Sequence, residues 1–277
     1  MVRTVDPLLG TRAQIGVGAD DGATRRAAED AVVTEASRLE QIFTTFAPDS
    51  ALRSYRRTGM TDVAELQAVI DLAQEWERRS SGLFDPGLQA VVELWDRAEE
   101  TGTIPTPDAL AEAVGLDRSI GNLNAIAKGW IADRAVVAAS GAASVWLNLG
   151  GDVVHRGAGS VTVGVEDPHR PYDNAKPLTT VELANAALAT SGGTRRWWTI
   201  AGRRYPKVLD PRTGWPVDHV ASATVLAPDA ATADVLATVG VVASVEETFA
   251  LARDEGAHCL LVKKDRAVVA SSDVFGV

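Results

Sequence analysis

The apolar residues of this chain keep a helical spacing through its first half and a strand spacing through its second, and that change of period constrains the fold most strongly. Ala27, Ala31, Leu39, Ile42 and Phe43 recur near helical intervals beyond the cap candidates Asp20 and Asp21. Val63, Leu66, Val69, Ile70, Ala73 and Trp76 trace one face of a second helix after Thr61 and Asp62, with Gly82 just past its end. Thr106 followed by Pro107 is a start signal for another helix, because proline suits the first helical position. Ala127 to Ser140, closed by Gly141, reads as one more. A single opening strand is expected ahead of all of these.

Beyond residue 140 the runs shorten and alternate. Val145–Leu149, Val161–Val165 and Thr180–Leu183 are bounded by Gly, Asp and Pro and read as strands. Trp197–Ile200, the Ala201-Gly202 turn and Arg203–Leu209 suggest a hairpin, and Ser222–Leu226 a further strand before an alanine-rich helix from Thr232. Ser244 with Glu247 forms a capping box for the next helix, and Cys259–Val262 with Ala267–Ala270 makes a closing hairpin. The expected class is α+β, with a helical N-terminal half packed on a mixed or antiparallel sheet. No repeat, low-complexity segment or linker divides the chain, so residues 1–277 are taken as one domain.

Charge and apolar run length narrow the function. A formal net charge of −10 opposes a nucleic-acid footprint, which is built from clustered Lys and Arg. The longest apolar runs, such as Val239–Val245, fall far short of the ~20 residues that span a bilayer, so no transmembrane segment is expected. Arg3, Asp6 and Arg12 interrupt the first residues where a signal peptide would be uniformly apolar, and no lipidated N-terminal cysteine is present. Cys259, the only cysteine, rules out an internal disulfide and a Cys-rich zinc site. A cytoplasmic location fits these features.

Four segments depart from periodicity in ways that suit chemistry. Asn122-Leu-Asn-Ala-Ile-Ala-Lys-Gly-Trp130 runs into a helix. Helix-start N–H groups and the Lys128 charge suit phosphate oxygens, and Gly129 would let a ligand approach; a plain loop-to-helix junction with a solvated lysine is the alternative. Leu147-Asn-Leu-Gly-Gly-Asp-Val153 is either a glycine bulge open to a ligand or a tight turn with Asp152 as turn former. Ala189-Thr-Ser-Gly-Gly193 precedes Leu209-Asp-Pro-Arg-Thr-Gly-Trp-Pro-Val-Asp218, where Arg212 either presents a planar fork to a carboxylate or phosphate or binds backbone carbonyls. In Ala230–Thr238, Asp234 and Thr238 stand four apart on one helix face, and their oxygens suit Mg²⁺ if they are not merely a solvated pair.

Taken together and in order, these segments resemble the ApbE family of FAD:protein FMN transferases. Leu9-Gly10-Thr11, Phe46 with Pro48-Asp49-Ser50, Gly82-Leu-Phe-Asp-Pro86, Leu94-Trp95, Ala125–Gly129, Asn148–Asp152, Ala189–Gly192, Asp210–Gly214 and Ala233–Thr238 correspond to family motifs across nearly the whole chain. The resemblance implies a T-fold-like α+β core. It also implies a magnesium site from Asp234, the Thr238 hydroxyl and the Ala125 carbonyl, with Asp234 anchoring metal rather than acting as a base. A flavin pocket is implied along Leu9, Phe46, Leu83, Phe84, Asp85, Asn122 and Lys128, with the Phe46 ring suited to stacking. Asp152 and Arg212 complete the candidate flavin contacts, and Asp234, Lys128 and Lys207 the candidate catalytic residues.

The implied activity moves FMN from FAD to a Ser or Thr hydroxyl of a flavoprotein bearing a Ser/Thr-Gly-Ala-rich acceptor loop, releasing AMP. FAD hydrolysis to FMN and AMP, or FAD binding without catalysis, are the competing readings. The chain departs from the family pattern at Leu9, where methionine is frequent, at Asn122, where aspartate is, and at Gly193-Thr194, which replace an acidic and aromatic pair. Lys207 stands where many members carry a histidine considered for proton transfer.

Overall fold

In the computed structural model, which describes residues 2–115, 120–139, 141–172, 175–193 and 196–277, the chain opens with two strands rather than one. β1 (Val2–Leu8) and β2 (Thr11–Gly18) form a hairpin. Leu9 and Gly10 both take positive φ, 52° and 67°, as a two-residue turn matched to strand twist requires. Six helices follow: α1 (Gly22–Phe43), α2 (Ala51–Thr58), α3 (Ala64–Arg79), α4 (Gln89–Thr101), α5 (Pro107–Gly115) and α6 (Ala127–Val137). Asp21 caps α1 by accepting from the N–H groups of Ala23 and Thr24, and Thr106 accepts from Ala109 at the start of α5. α6 stops at Val137, short of the expected end; Ser140 lies outside the described residues.

The second half supplies β3 (Ser144–Leu149), β4 (Asp152–Gly157), β5 (Val161–Val165), β6 (Thr179–Leu183), β7 (Ala187–Gly192), β8 (Trp197–Ile200), β9 (Arg203–Pro206) and β10 (Val220–Ala227). Helices α7 (Ala230–Val242) and α8 (Val245–Asp254) precede a closing pair, β11 (His258–Lys263) and β12 (Val268–Ala270). The Ser244–Glu247 capping box is formed in both directions. One sheet runs β1-β2-β3-β4-β7-β10-β11-β12 and every pairing in it is antiparallel, which resolves the mixed-or-antiparallel alternative.

Neighbouring residues on the central strands serve opposite layers. Ile15, Leu147, Val154, Ala189 and Val225 face the main core with α1, α6 and α7. Val153, Leu188 and Leu260 face the other way and are covered by the β5–β6 hairpin and Phe275. A satellite cluster joins α4 and α5 to the β8–β9 hairpin through Trp95, Leu110, Trp198 and Tyr205. Cys259 is buried in β11 and its thiol is pushed up to about 12 by that burial, so it is a small apolar residue here.

α7 is buried on nearly all sides between the sheet and α6. Burial of Val235, Leu236, Val239 and Val241 stabilises it by about 1.5–3 kcal/mol per side chain, enough to carry one acidic residue into the interior. That residue is Asp234, only 7% exposed.

Candidate functional site

The packing of α6 against α7 brings the chemistry-bearing residues together. A Cβ on Gly129 would lie 2.2 Å from the Ala230 carbonyl oxygen, so glycine is required for the helices to approach. This corrects the expectation that Gly129 leaves room for a ligand: the room is filled by α7. The approach lets the Gly129 N–H donate to Asp234 Oδ2 at 3.3 Å, seating that carboxylate on the first turn of α6. From the same side Asp133 of α6 accepts from the N–H groups of Ala230 and Ala231, fixing the start of α7. Asp133 also binds Arg156 at 3.1 Å. Nothing in the local sequence marks Asp133, because the α7 N–H groups it accepts from lie nearly a hundred residues away.

Lys128, one residue before Gly129, is ion-paired with Asp152. Asp152 reaches it from the start of β4, just after the Gly150-Gly151 turn, whose positive φ values of 63° and 109° make the segment a tight turn between strands rather than a bulge. The Asp152 carboxylate is also 3.4 Å from the Thr190 N–H of β7. Two carboxylates, Asp152 and Asp234, therefore face one ammonium. Burial alone would lower the Lys128 pKa, but Asp234 and Asp152 outweigh it and hold the lysine above its ordinary value. Burial pushes the Asp234 carboxyl up to about 7, with Asp152 adding to the rise and Lys128, the Gly129 N–H and Arg196 opposing it. Arg196 was not singled out from sequence. Its signal was the Arg195-Arg196 pair one residue beyond Gly192-Gly193.

Because folding raises the Asp234 pKa, the folded state binds that proton more tightly than the unfolded chain does. Its contribution to stability is then lost as pH climbs from the ordinary aspartate range through about 7. The Lys128 shift acts only at much higher pH and leaves this window untouched. Thermal unfolding of metal-free protein is expected to show stability falling with pH across that interval relative to Asp234→Asn. Parallel pH profiles for the two proteins would contradict it.

Several other candidates adjoin this cluster. The Gly150 N–H donates to the Arg12 carbonyl at 3.2 Å, which sets the Leu9-Gly10 hairpin turn beside the turn that carries Asp152. Gly121 and Asn122 donate their N–H groups to the Pro86 carbonyl at 3.0 and 2.9 Å, docking the loop ahead of α6 onto the Leu83-Phe84-Asp85 turn. Leu83 is half-buried, whereas Phe84 is only 3% exposed and belongs to the core, so its ring is a support for the turn rather than an open face. Asp85 accepts from the Gly87 N–H at 2.7 Å. The Asn122 side chain accepts from Asn124 N–H, closing its own loop. Phe46 projects from the α1–α2 connection, 93% exposed.

Two candidates are engaged elsewhere. Arg212 does present its fork to a carboxylate, but the carboxylate is Asp210 of the same turn, at 2.9 and 2.8 Å. Lys207 lies 3.7 Å from Asp96 and 3.9 Å from Glu99, over the Trp198 ring. Its ammonium is thus turned towards α4. Thr194 lies outside the described residues.

For a metal, the candidate oxygens are the Asp234 carboxylate, the Thr238 hydroxyl one turn later on α7 and the Ala125 carbonyl just before α6. Thr238 Oγ1 is 3.2 Å from the Asp234 carbonyl, to which it donates, leaving its lone pairs open. Among the described residues no three His, Cys, Asp or Glu side chains gather into a metal cluster. An all-oxygen set with one carboxylate fits Mg²⁺, which keeps waters and borrows substrate phosphate oxygens.

The same residues carry a family signature: residues 9–261 match the model of the ApbE family. The chain belongs to the ApbE family. A Treponema pallidum protein named FAD:protein FMN transferase is 30% identical, with 96% of this chain and 86% of that protein covered. A Haemophilus influenzae protein of the same name is 27% identical over 91% of this chain and 84% of its own length. Among solved structures, the ApbE protein of Thermotoga maritima superimposes with a TM-score of 0.86 at 26% identity, covering 99% of each chain. The apo flavinyl transferase ApbE of Pseudomonas stutzeri, at 20% identity and a TM-score of 0.78, shares the fold. The ApbE architecture is therefore the α+β arrangement described above.

Proposed function

We propose that this chain is a magnesium-dependent FAD:protein FMN transferase that attaches FMN to a Ser or Thr hydroxyl of a flavoprotein and releases AMP. The observation that carries the reading is the buried Asp234, seated on the first turn of α6 beside the Lys128–Asp152 pair in a chain of this family. Two carboxylates, Asp234 and Asp152, face the one ammonium of Lys128, which suits a site that takes a divalent cation.

Asp234, Thr238 and Ala125 would hold Mg²⁺, which when bound supplies charge neutralisation to a pyrophosphate. Lys128 is kept charged and oriented by Asp152, so its ammonium can hold phosphate oxygens without first being ordered. Leu9, Leu83, Asp85 and Asn122 would line FAD, with Phe46 offering its exposed ring to the isoalloxazine. In the transfer, the acceptor hydroxyl oxygen bonds to the FMN phosphorus while the phosphoanhydride bond to AMP breaks. AMP leaves with that electron pair, and the hydroxyl proton passes to solvent.

The test incubates purified protein with FAD, Mg²⁺ and a candidate acceptor domain, following AMP release and in-gel flavin fluorescence of the denatured acceptor. A fluorescent acceptor band together with AMP, both abolished by EDTA, is expected. AMP without any band would favour a pyrophosphatase, and bound FAD without AMP a flavin-binding protein.

A further inference from the structure

From the β8–β9 hairpin we infer a docking surface for an acidic segment of the acceptor protein, centred on the stacked pair Trp197 and Arg204. The inference rests on the transferase reading and names the chemistry of the partner at that same site. Residues 183–209 hold five basic residues and no acidic one, in a chain of net charge −10. Lys207 is already held by Asp96 and Glu99. Arg203 and Arg204 are exposed, and among the described residues neither has an ion pair.

The register divides the hairpin into two faces. Trp198 pairs with Tyr205, and these two with Ile200 pack inward on Trp95. Trp197 opposite Pro206, and Thr199 opposite Arg204, face outward. On that outer face the Arg204 guanidinium lies 4.2 Å from the Trp197 ring centroid; Arg203, at the hairpin's end, lies 5.2 Å from that of Tyr205. Stacking fixes the plane of each guanidinium and leaves its N–H fork open, the arrangement that receives carboxylates in pairs. Arg204 on the outer face and Arg203 at the hairpin's end, both unpaired among the described residues, do nothing for the fold, whereas together they complement an acidic chain.

The surface is also continuous with the site. Arg196, immediately before β8, acts electrostatically on Asp234 and Lys128, and its carbonyl accepts from the Lys207 N–H at 3.0 Å at the hairpin's base. A polypeptide lying along the hairpin would thus bring a neighbouring hydroxyl to the cluster. Two free arginines give too little attraction for stable attachment to a bilayer, so a polypeptide partner is favoured over a membrane.

The test uses two fluorescein-labelled peptides that share a Ser-Thr-Gly-Ala loop, one flanked by glutamates and one by glutamines. Fluorescence anisotropy with the full chain is expected to show at least ~10-fold tighter binding of the glutamate peptide, fading towards about 0.5 M salt. The preference should vanish in Arg203→Glu/Arg204→Glu and survive in large part in Arg203→Lys/Arg204→Lys. FAD affinity and acceptor-independent AMP release unchanged in the charge-reversed variant would show that its fold is intact. Equal binding of the two peptides, or an undiminished glutamate preference after charge reversal, overturns the proposal. So does binding to phosphatidylserine vesicles without any glutamate preference. If the glutamate preference stands while FAD yields no AMP, the docking surface survives and the transferase reading falls.

Discussion

Asp234→Asn is expected to lower flavin transfer by about 10³-fold or more while the protein stays folded, because in the proposed mechanism it removes a metal anchor and with it several kcal/mol of transition-state stabilisation. The fold should survive for an electrostatic reason. In the wild type Lys128 faces two carboxylates, and removing Asp234 leaves the Lys128–Asp152 pair intact. The asparagine oxygen can still accept from the Gly129 N–H. A buried carboxylate whose pKa is pushed up to about 7 is a cost to the metal-free fold, so its removal should not lower the unfolding temperature near neutral pH. The measurement is single-turnover transfer with and without Mg²⁺, beside thermal unfolding of both proteins. Residual transfer within about tenfold of wild type would remove Asp234 from the metal site.

The second large effect is expected at Gly129, which has no side chain to offer a substrate. Alanine there would set its Cβ 2.2 Å from the Ala230 carbonyl oxygen, and the obstacle is backbone, which cannot rotate aside. The α6–α7 crossing must open, at a cost of about 3 kcal/mol, which for a chain of this size corresponds to an unfolding temperature lower by roughly 6 °C or more. Opening the crossing also withdraws the Gly129 N–H from Asp234 and shifts Lys128 relative to α7. Transfer by the folded fraction is therefore expected to fall about 10²-fold, since displacements of about 1 Å in a positioned site cost that much. Calorimetry and kcat on the same preparation separate the two effects. A stable, fully active Gly129→Ala protein would mean that the helix contact is softer than this geometry requires.

Much of the fold was legible in the sequence wherever a local rule decided it. The spacing of Leu66, Val69, Ile70, Ala73 and Trp76 gave α3, and the caps at Asp21, Thr106 and Ser244 marked three helix starts that the structure keeps. The elements that escaped have weak or two-sided patterns. α2 buries only Leu52, and β7, Ala-Leu-Ala-Thr-Ser-Gly, is a strand because β4 and β10 pair with it on either side. β4 carries adjacent Val153 and Val154 into different layers, so it shows no alternation to read. α4 is the exception, since Val91, Trp95 and Ala98 trace its buried face at helical spacing.

By itself the sequence determined the α+β class, the family and the residue types that chemistry of this kind needs, because those are properties of local spacing and of motif order. Tertiary structure alone decided which of them meet. Asp152 joins Lys128 and Asp234 because β4 runs beside β7 in the sheet and α7 packs against α6 through Gly129. Packing also turned Lys207 towards Asp96 and Glu99, paired Arg212 with its neighbour Asp210, and brought Arg196 within reach of the buried carboxylate. The physical reason is range. Helix caps and periodicities act over a few residues, whereas charges in a low-dielectric interior act between segments that only the closed fold brings near.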